Sequence, residues 1–147
     1  MPLLHDAAFR TQLIARVQSL TPDTPARWGK MTVDQMLWHV SSALEMALGR
    51  TQLQSGKPPL PLPIMRFVVL TLPWPKNLPT NPELVAKQRH DFGAEKQRCL
   101  QLVDEFARKD IRGGSWADHP LLGAMPGKKV SHLQAKHLNH HLRQFGA

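Results

Sequence analysis

The sequence has a single cysteine, Cys99, and no tyrosine among its 147 residues. One cysteine excludes an internal disulfide framework and a zinc site built from several cysteines, which suits a reducing compartment. Cys99 also falls in a helical stripe of apolar residues with Phe92, Val103 and Phe106. We therefore interpret it as a small core residue and not as a nucleophile.

A long apolar run and a secretory signal are missing as well. The most apolar stretch, residues 60–74, is interrupted by Arg66 and by prolines, and it is shorter than the roughly 20 residues that a spanning helix needs. The first 20 residues resemble an amphipathic helix with charges throughout, without the uncharged apolar centre of a signal peptide. We expect a cytoplasmic protein with no membrane partner.

Clusters of basic residues are also lacking, although the formal net charge is +8. Lysine and arginine bind nucleic acid when they are grouped, because grouping lets them neutralise successive phosphates. Here no more than two stand together, as in Arg108-Lys109 and Lys128-Lys129, and tyrosine for base stacking is absent. The sequence predicts no nucleic-acid partner. An anionic small-molecule substrate would also benefit from the positive field, because electrostatic steering raises encounter rates.

The length and the 41% hydrophobic content suit one domain over residues 1–147. Eight of the thirteen prolines lie in the segment 58–82, so this connection must be irregular, with one short helical piece at 64–70. We predict an all-α four-helix bundle with a long proline-rich crossover between helices 2 and 3. The four predicted helices run from Asp6 to Leu20, from Thr32 to Leu48, from Asp91 to Lys109 and from Ser131 to Phe145, with capping-box pairs Thr32/Gln35 and Ser131/Gln134 and a C-terminal Gly49.

Four of the eight histidines lie in the last predicted helix, between residues 132 and 141. At 100° per residue, His137 and His141 lie within about 40° of each other beside the apolar face, so both should project inward. His132 falls with the polar residues, and we expect it to be solvated. His140 lies farther toward the polar edge.

Two imidazoles at positions i and i+4 of a helix can bind one ion, and His39 on the second helix offers a third ligand. Three neutral imidazoles suit a divalent metal, with zinc or nickel first and iron, cobalt or manganese as alternatives, and they leave positions for water or substrate. Gln144 is a candidate to accept the second N–H of a ligand. Gln35 is a weaker one, because the helix cap already explains it. The alternative is that each histidine packs in the core and hydrogen-bonds a neighbour.

Three stretches carry a resemblance to a known family: RWGKMTVDQMLWHVSSALEMALG, HPLLG and KHLNHHLRQFG. They resemble the DinB-like (YfiT-like) superfamily, in particular its small members that end in a His-His-Leu-Arg-Gln-Phe tail. The resemblance implies a dimeric four-helix bundle with a metal on His39, His137 and His141. Leu122 departs from the family pattern, where an aromatic residue is usual, and so does the segment 126–129, where relatives have an acidic stretch with a tryptophan.

Some superfamily members are transferases or isomerases that act with a low-molecular-weight thiol. The resemblance and the histidines together suggest a metal-dependent transferase or hydrolase that activates a thiol or water for a small-molecule substrate. The sequence shows no inward carboxylate on the second or fourth helix that would be an evident general base. The alternative function is a non-enzymatic homodimer that binds a ligand or partner, with a structural or vacant histidine site.

Overall fold

The computed structural model describes residues 1–147 and is entirely helical, which confirms the predicted all-α class. It contains five α-helices where four were predicted, because the short piece near 64–70 is a helix of ten residues. The helices are α1 (Ala7–Ser19), α2 (Val33–Ala47), α3 (Leu62–Thr71), α4 (Phe92–Arg108) and α5 (Gly127–Gln144), with a 3-10 turn at Pro82–Leu84. None of them combines the length and the apolar character that a membrane span requires.

Helix α2 lies at the centre of the fold and packs against both α4 and α5. Helix α1 packs against the same two helices from the other side, and α3 contacts α5. The most buried side chains come from all four longer helices and include Leu13, Val17, Leu37, Val103, Phe106 and Leu142. Cys99 is fully buried among them, and this burial raises the pKa of its thiol to about 12. The thiol therefore stays protonated, as a core residue should.

The predicted ends of α2 and α4 agree with the structure. Gln35 Oε1 accepts the backbone N–H of Thr32 at 3.1 Å, and Gly49 ends α2 with φ of +79°. Asp91 Oδ1 accepts the backbone N–H of Ala94 at 2.7 Å at the start of α4. Each contact satisfies a backbone group that the helix itself leaves unpaired.

The predicted start of α5 at Ser131 is wrong, since the helix begins four residues earlier at Gly127. Gly127 packs so closely on the loop after α4 that a Cβ there would collide with the carbonyl oxygen of Ile111. Ser131 is therefore inside the helix, where its hydroxyl bonds His5 Nδ1 at 2.8 Å. Gln134 makes no capping bond and faces a cavity described below.

The prediction that His132 is solvated is also wrong, because its ring is only 6% exposed. His132 Nδ1 lies 2.9 Å from the carbonyl oxygen of Pro2, and Nε2 lies 2.9 Å from that of Leu70. One turn later, Lys136 Nζ donates to the carbonyls of Val69 and Leu72 at 2.7 and 2.6 Å. The chain terminus and the end of α3 thus cover a face of α5 that the sequence alone marks as polar.

His132→Leu should lower the free energy of unfolding by about 1 kcal/mol, because an imidazole with one N–H donates to one of the two carbonyls, whereas leucine donates to neither. His132→Gln can still donate to one carbonyl and should lose less stability. Urea unfolding followed by circular dichroism measures both variants. Equal stability of His132→Leu and the natural chain would contradict a structural role for the hydrogen bond of this ring.

Candidate metal centre

Three histidines from two helices meet in the interior, His39 from α2 and the pair His137 and His141 from successive turns of α5. Each offers one ring nitrogen, and the three nitrogens lie within 4.8 Å of one another. The ring centroids are 4.7, 4.7 and 4.8 Å apart, so they form a nearly equilateral triangle. The planes meet at 75° to 83°. The rings therefore surround a common point, as three ligands of one ion do.

The ring of His39 is held by a backbone carbonyl. Its Nδ1 lies 2.7 Å from the carbonyl oxygen of Leu84, in the 3-10 turn that follows the proline-rich segment. A carbonyl oxygen can only accept, so Nδ1 carries the proton and donates. In a neutral imidazole the other nitrogen, Nε2, then presents a lone pair to the centre.

The ring of His141 is held in the same way by Gln144, the residue expected to accept an N–H from a ligand. Gln144 Oε1 lies 2.7 Å from His141 Nδ1, and Gln144 Nε2 donates to the carbonyl oxygen of Trp28 at 2.9 Å. The carbonyl fixes which end of the amide is the donor, so Oε1 must face the histidine. His141 Nε2 therefore also presents a lone pair, the arrangement usual for ligating histidines.

Burial keeps all three imidazoles neutral at physiological pH. It lowers the pKa of His39, aided by the charge of His140 and opposed by the hydrogen bond to Leu84, and it lowers the pKa of His141 to about 3. It also holds the pKa of His137 well below the ordinary value of 6.5, with the neighbouring histidines adding to the effect. Neutral imidazole is the form that binds a metal ion.

Two of the ring nitrogens are closer together than two ligands of one ion would be. His39 Nε2 and His137 Nε2 are 2.8 Å apart, joined by one proton that His137 donates. Two nitrogen ligands of a tetrahedral ion at about 2.0–2.1 Å lie roughly 3.3 Å apart. To make room for the ion, the two nitrogens would move about half an ångström farther apart, and the proton of His137 would move to Nδ1.

The three histidines open into a cavity of about 390 Å³. Its walls are mainly apolar and include Met46, Leu133 and Trp74, whose ring centroid is 6.1 Å from that of His137. No aspartate or glutamate lines it, whereas Lys30 and Lys76 do. The cavity therefore has the size and apolar character of a small-molecule site, and its charge is positive.

Sequence reasoning gave no site role to His119, Gln134 or His140, which are among the polar residues that line this cavity. His119 belongs to the HPLLG stretch, where its Nδ1 accepts the backbone N–H groups of Leu121 and Leu122 at 3.1 Å each. Burial lowers the pKa of His119 to about 4. The ring is thus neutral and carries its proton on Nε2. The only sequence signal for His119 was the motif, which gave it no role.

These features define a class, an all-helical protein with three inward-facing histidines grouped as metal ligands are. The chain belongs to the DinB superfamily, whose family model matches residues 7–145. No curated protein and no solved structure matches the chain significantly. Nearly the whole sequence therefore matches the family model.

Proposed function

We propose that the protein binds one divalent metal ion, zinc or nickel, through His39, His137 and His141. The observation that carries the proposal is the approach of three neutral imidazole nitrogens to within 4.8 Å of one another. The hydrogen bonds that direct Nε2 of His39 and of His141 toward the centre support it further. Borderline nitrogen ligands of this kind suit zinc and nickel, with iron, cobalt and manganese as alternatives.

We further propose a transferase or hydrolase acting on a small molecule, with a low-molecular-weight thiol or water as nucleophile. A bound ion would supply Lewis acidity, which lowers the pKa of the thiol or water. The chain's own residues hold the ligand rings in place and shield the reacting groups with the apolar walls of the cavity. No carboxylate base lines the cavity, so the proposal gives that role to no acidic side chain.

We also propose how the helices are arranged and how the chains associate. The four longer helices would form a DinB-like four-helix bundle, and the proline-rich segment 58–82 would be the crossover that places Leu84 against His39. A cytoplasmic homodimer completes the proposal, and analytical ultracentrifugation tests its oligomeric state. The exposed apolar side chains Ile64 and Phe67 of α3, which are 49% and 59% exposed, are available to such an interface.

The first experiment is elemental analysis of protein purified without a histidine tag, followed by calorimetric titration with zinc and nickel. We expect one ion per chain, bound with micromolar affinity or tighter. Failure of every divalent metal to bind would overturn the proposal. A chelator then separates the two roles, because it should abolish activity with little change in melting temperature if the ion is catalytic. A sharp fall in melting temperature would favour a structural ion.

Gln144→Leu should weaken zinc binding about tenfold, since loss of a hydrogen-bond partner to a ligating histidine typically costs 10- to 100-fold in affinity. Calorimetric titration measures the change. Gln101→Leu is the matched control, because Gln101 is exposed on α4 and should leave the affinity unchanged. Equal zinc affinity of Gln144→Leu and the natural chain would show that the hydrogen bond to His141 does not orient a ligand.

A further inference from the structure

Gln134 is a buried polar side chain without a partner. It is 4% exposed, it lines the cavity beside the three histidines, and its amide makes no hydrogen bond within the protein. The amide nitrogen and oxygen are not fully enclosed, so both remain accessible from the cavity. A polar ligand in the cavity can therefore hydrogen-bond the amide.

His119 lines the same cavity as Gln134. Both residues also line a second, smaller cavity, which places them on the same side of the first. The two backbone N–H groups that bond His119 Nδ1 force the proton onto Nε2, and this Nε2–H makes no hydrogen bond within the protein. One wall of the cavity therefore offers unpartnered N–H donors from two side chains.

The charge of the cavity selects among the ligands that such donors could bind. Lys30 and Lys76 line it and are both exposed, and Lys76 Nζ lies 5.3 Å from the ring centroid of Trp28. No acidic side chain among the lining residues opposes them. N–H donors in a positive field favour a carboxylate, because hydrogen bonds to an ionised acceptor are about twice as strong as neutral ones.

We propose that Gln134 and the Nε2–H of His119 form a recognition subsite for the carboxylate of a small organic acid with an apolar body. The proposal rests on the proposed function, since the acid is the substrate whose reactive group would lie at the histidines. Lys30 and Lys76 steer the acid into the cavity, and the apolar walls hold its body.

The test uses two probes of equal shape, 3-phenylpropanoate and its neutral amide. Each is titrated into the metal-free protein and followed by tryptophan fluorescence, since Trp74 lines the cavity. The acid should bind about tenfold more tightly than the amide, as expected for a charge-assisted hydrogen bond. Gln134→Leu should lose about tenfold in affinity for the acid. It should also melt no lower than the natural chain, because the amide makes no hydrogen bond within the protein and leucine fills nearly the same volume; a residue with only a structural role would not give this combination.

The lysines are tested by charge removal. The double variant Lys30→Gln with Lys76→Gln should weaken binding of the acid severalfold and reduce the salt dependence of that binding. Its affinity for the amide should not change. Lys128→Gln with Lys129→Gln makes the same charge change on exposed residues at the start of α5, outside the cavity lining, and should have little effect.

Equal binding of acid and amide, no binding of either probe at millimolar concentration, or full acid affinity in Gln134→Leu would each overturn the proposal. Zinc titration of the same variants keeps it separate from the metal site. If zinc fails to bind but the acid still depends on Gln134, only the metal proposal falls. If zinc binds and the acid ignores Gln134, only the subsite falls.

Discussion

His39→Ala is expected to lower the affinity for zinc or nickel by about a thousandfold while the chain remains helical. Removing one ligand of three takes away a share of a binding free energy that is about 10–16 kcal/mol for structural zinc sites. Two imidazoles of one helix remain, and two such ligands alone hold an ion weakly. Calorimetric titration measures the affinity, and circular dichroism measures the helix content.

The control for this variant is His90→Ala. His90 stacks on Trp38 with ring centroids 5.3 Å apart and planes at 11°. It lies on the segment that precedes α4 and does not line the cavity. The substitution is chemically the same, yet metal affinity should be unchanged. Retention of tight metal binding by His39→Ala, or an equal loss in both variants, would contradict the assignment of His39 as a ligand.

The sequence made the grouping of His39, His137 and His141 foreseeable because it depends mainly on helical phase. The angular position of a residue on a regular helix follows from its number, and the apolar residues show which side faces inward. The ends of α2 and α4 were equally predictable, since Gln35 and Asp91 cap these helices through contacts between residues three apart in the sequence. Local chemistry of this kind can be deduced without knowing the fold.

The rest depends on which segments meet in space. His132 lies on a face of α5 that is polar in sequence, and it is buried only because the chain terminus and the end of α3 happen to cover it. Gln134 was assigned to a cap because its spacing from Ser131 fits one. The carbonyl of Leu84 reaches His39 from the 3-10 turn at the end of the proline-rich segment. This part of the sequence has no periodicity, so no pattern could have placed the carbonyl.

Asp34→Ala is expected to lower the free energy of unfolding by about 2 kcal/mol, because it removes a buried carboxylate that accepts charge-assisted and backbone hydrogen bonds. The carboxylate lies in the first turn of α2 with its side chain 2% exposed. It accepts two bonds of 3.1 Å from Arg89 Nε and one of 2.8 Å from the backbone N–H of His90. It thereby ties the segment before α4 to the start of α2. Denaturant unfolding at neutral pH measures the loss.

The same carboxylate should make stability depend on pH in the acid range. Burial raises the pKa of Asp34, but the hydrogen bonds from Arg89 and His90 outweigh it and bring the pKa from 3.8 to about 2. A lowered pKa in the folded chain stabilises the fold above the unfolded value, here by about 2 kcal/mol. This stabilisation is lost as the pH falls from about 4 to about 2.

Asp34→Asn isolates the pH-dependent stabilisation by this carboxylate, since the amide keeps the shape of the side chain and has no charge to titrate. The difference in unfolding free energy between the natural chain and Asp34→Asn should be largest above about pH 5 and should shrink as the pH approaches 2. Asp104→Asn is the control, because Asp104 is 56% exposed and pairs only with an exposed arginine, so its difference should stay small throughout. A difference for Asp34→Asn that stays constant between neutral and acid pH would mean that the carboxylate is not held by these hydrogen bonds.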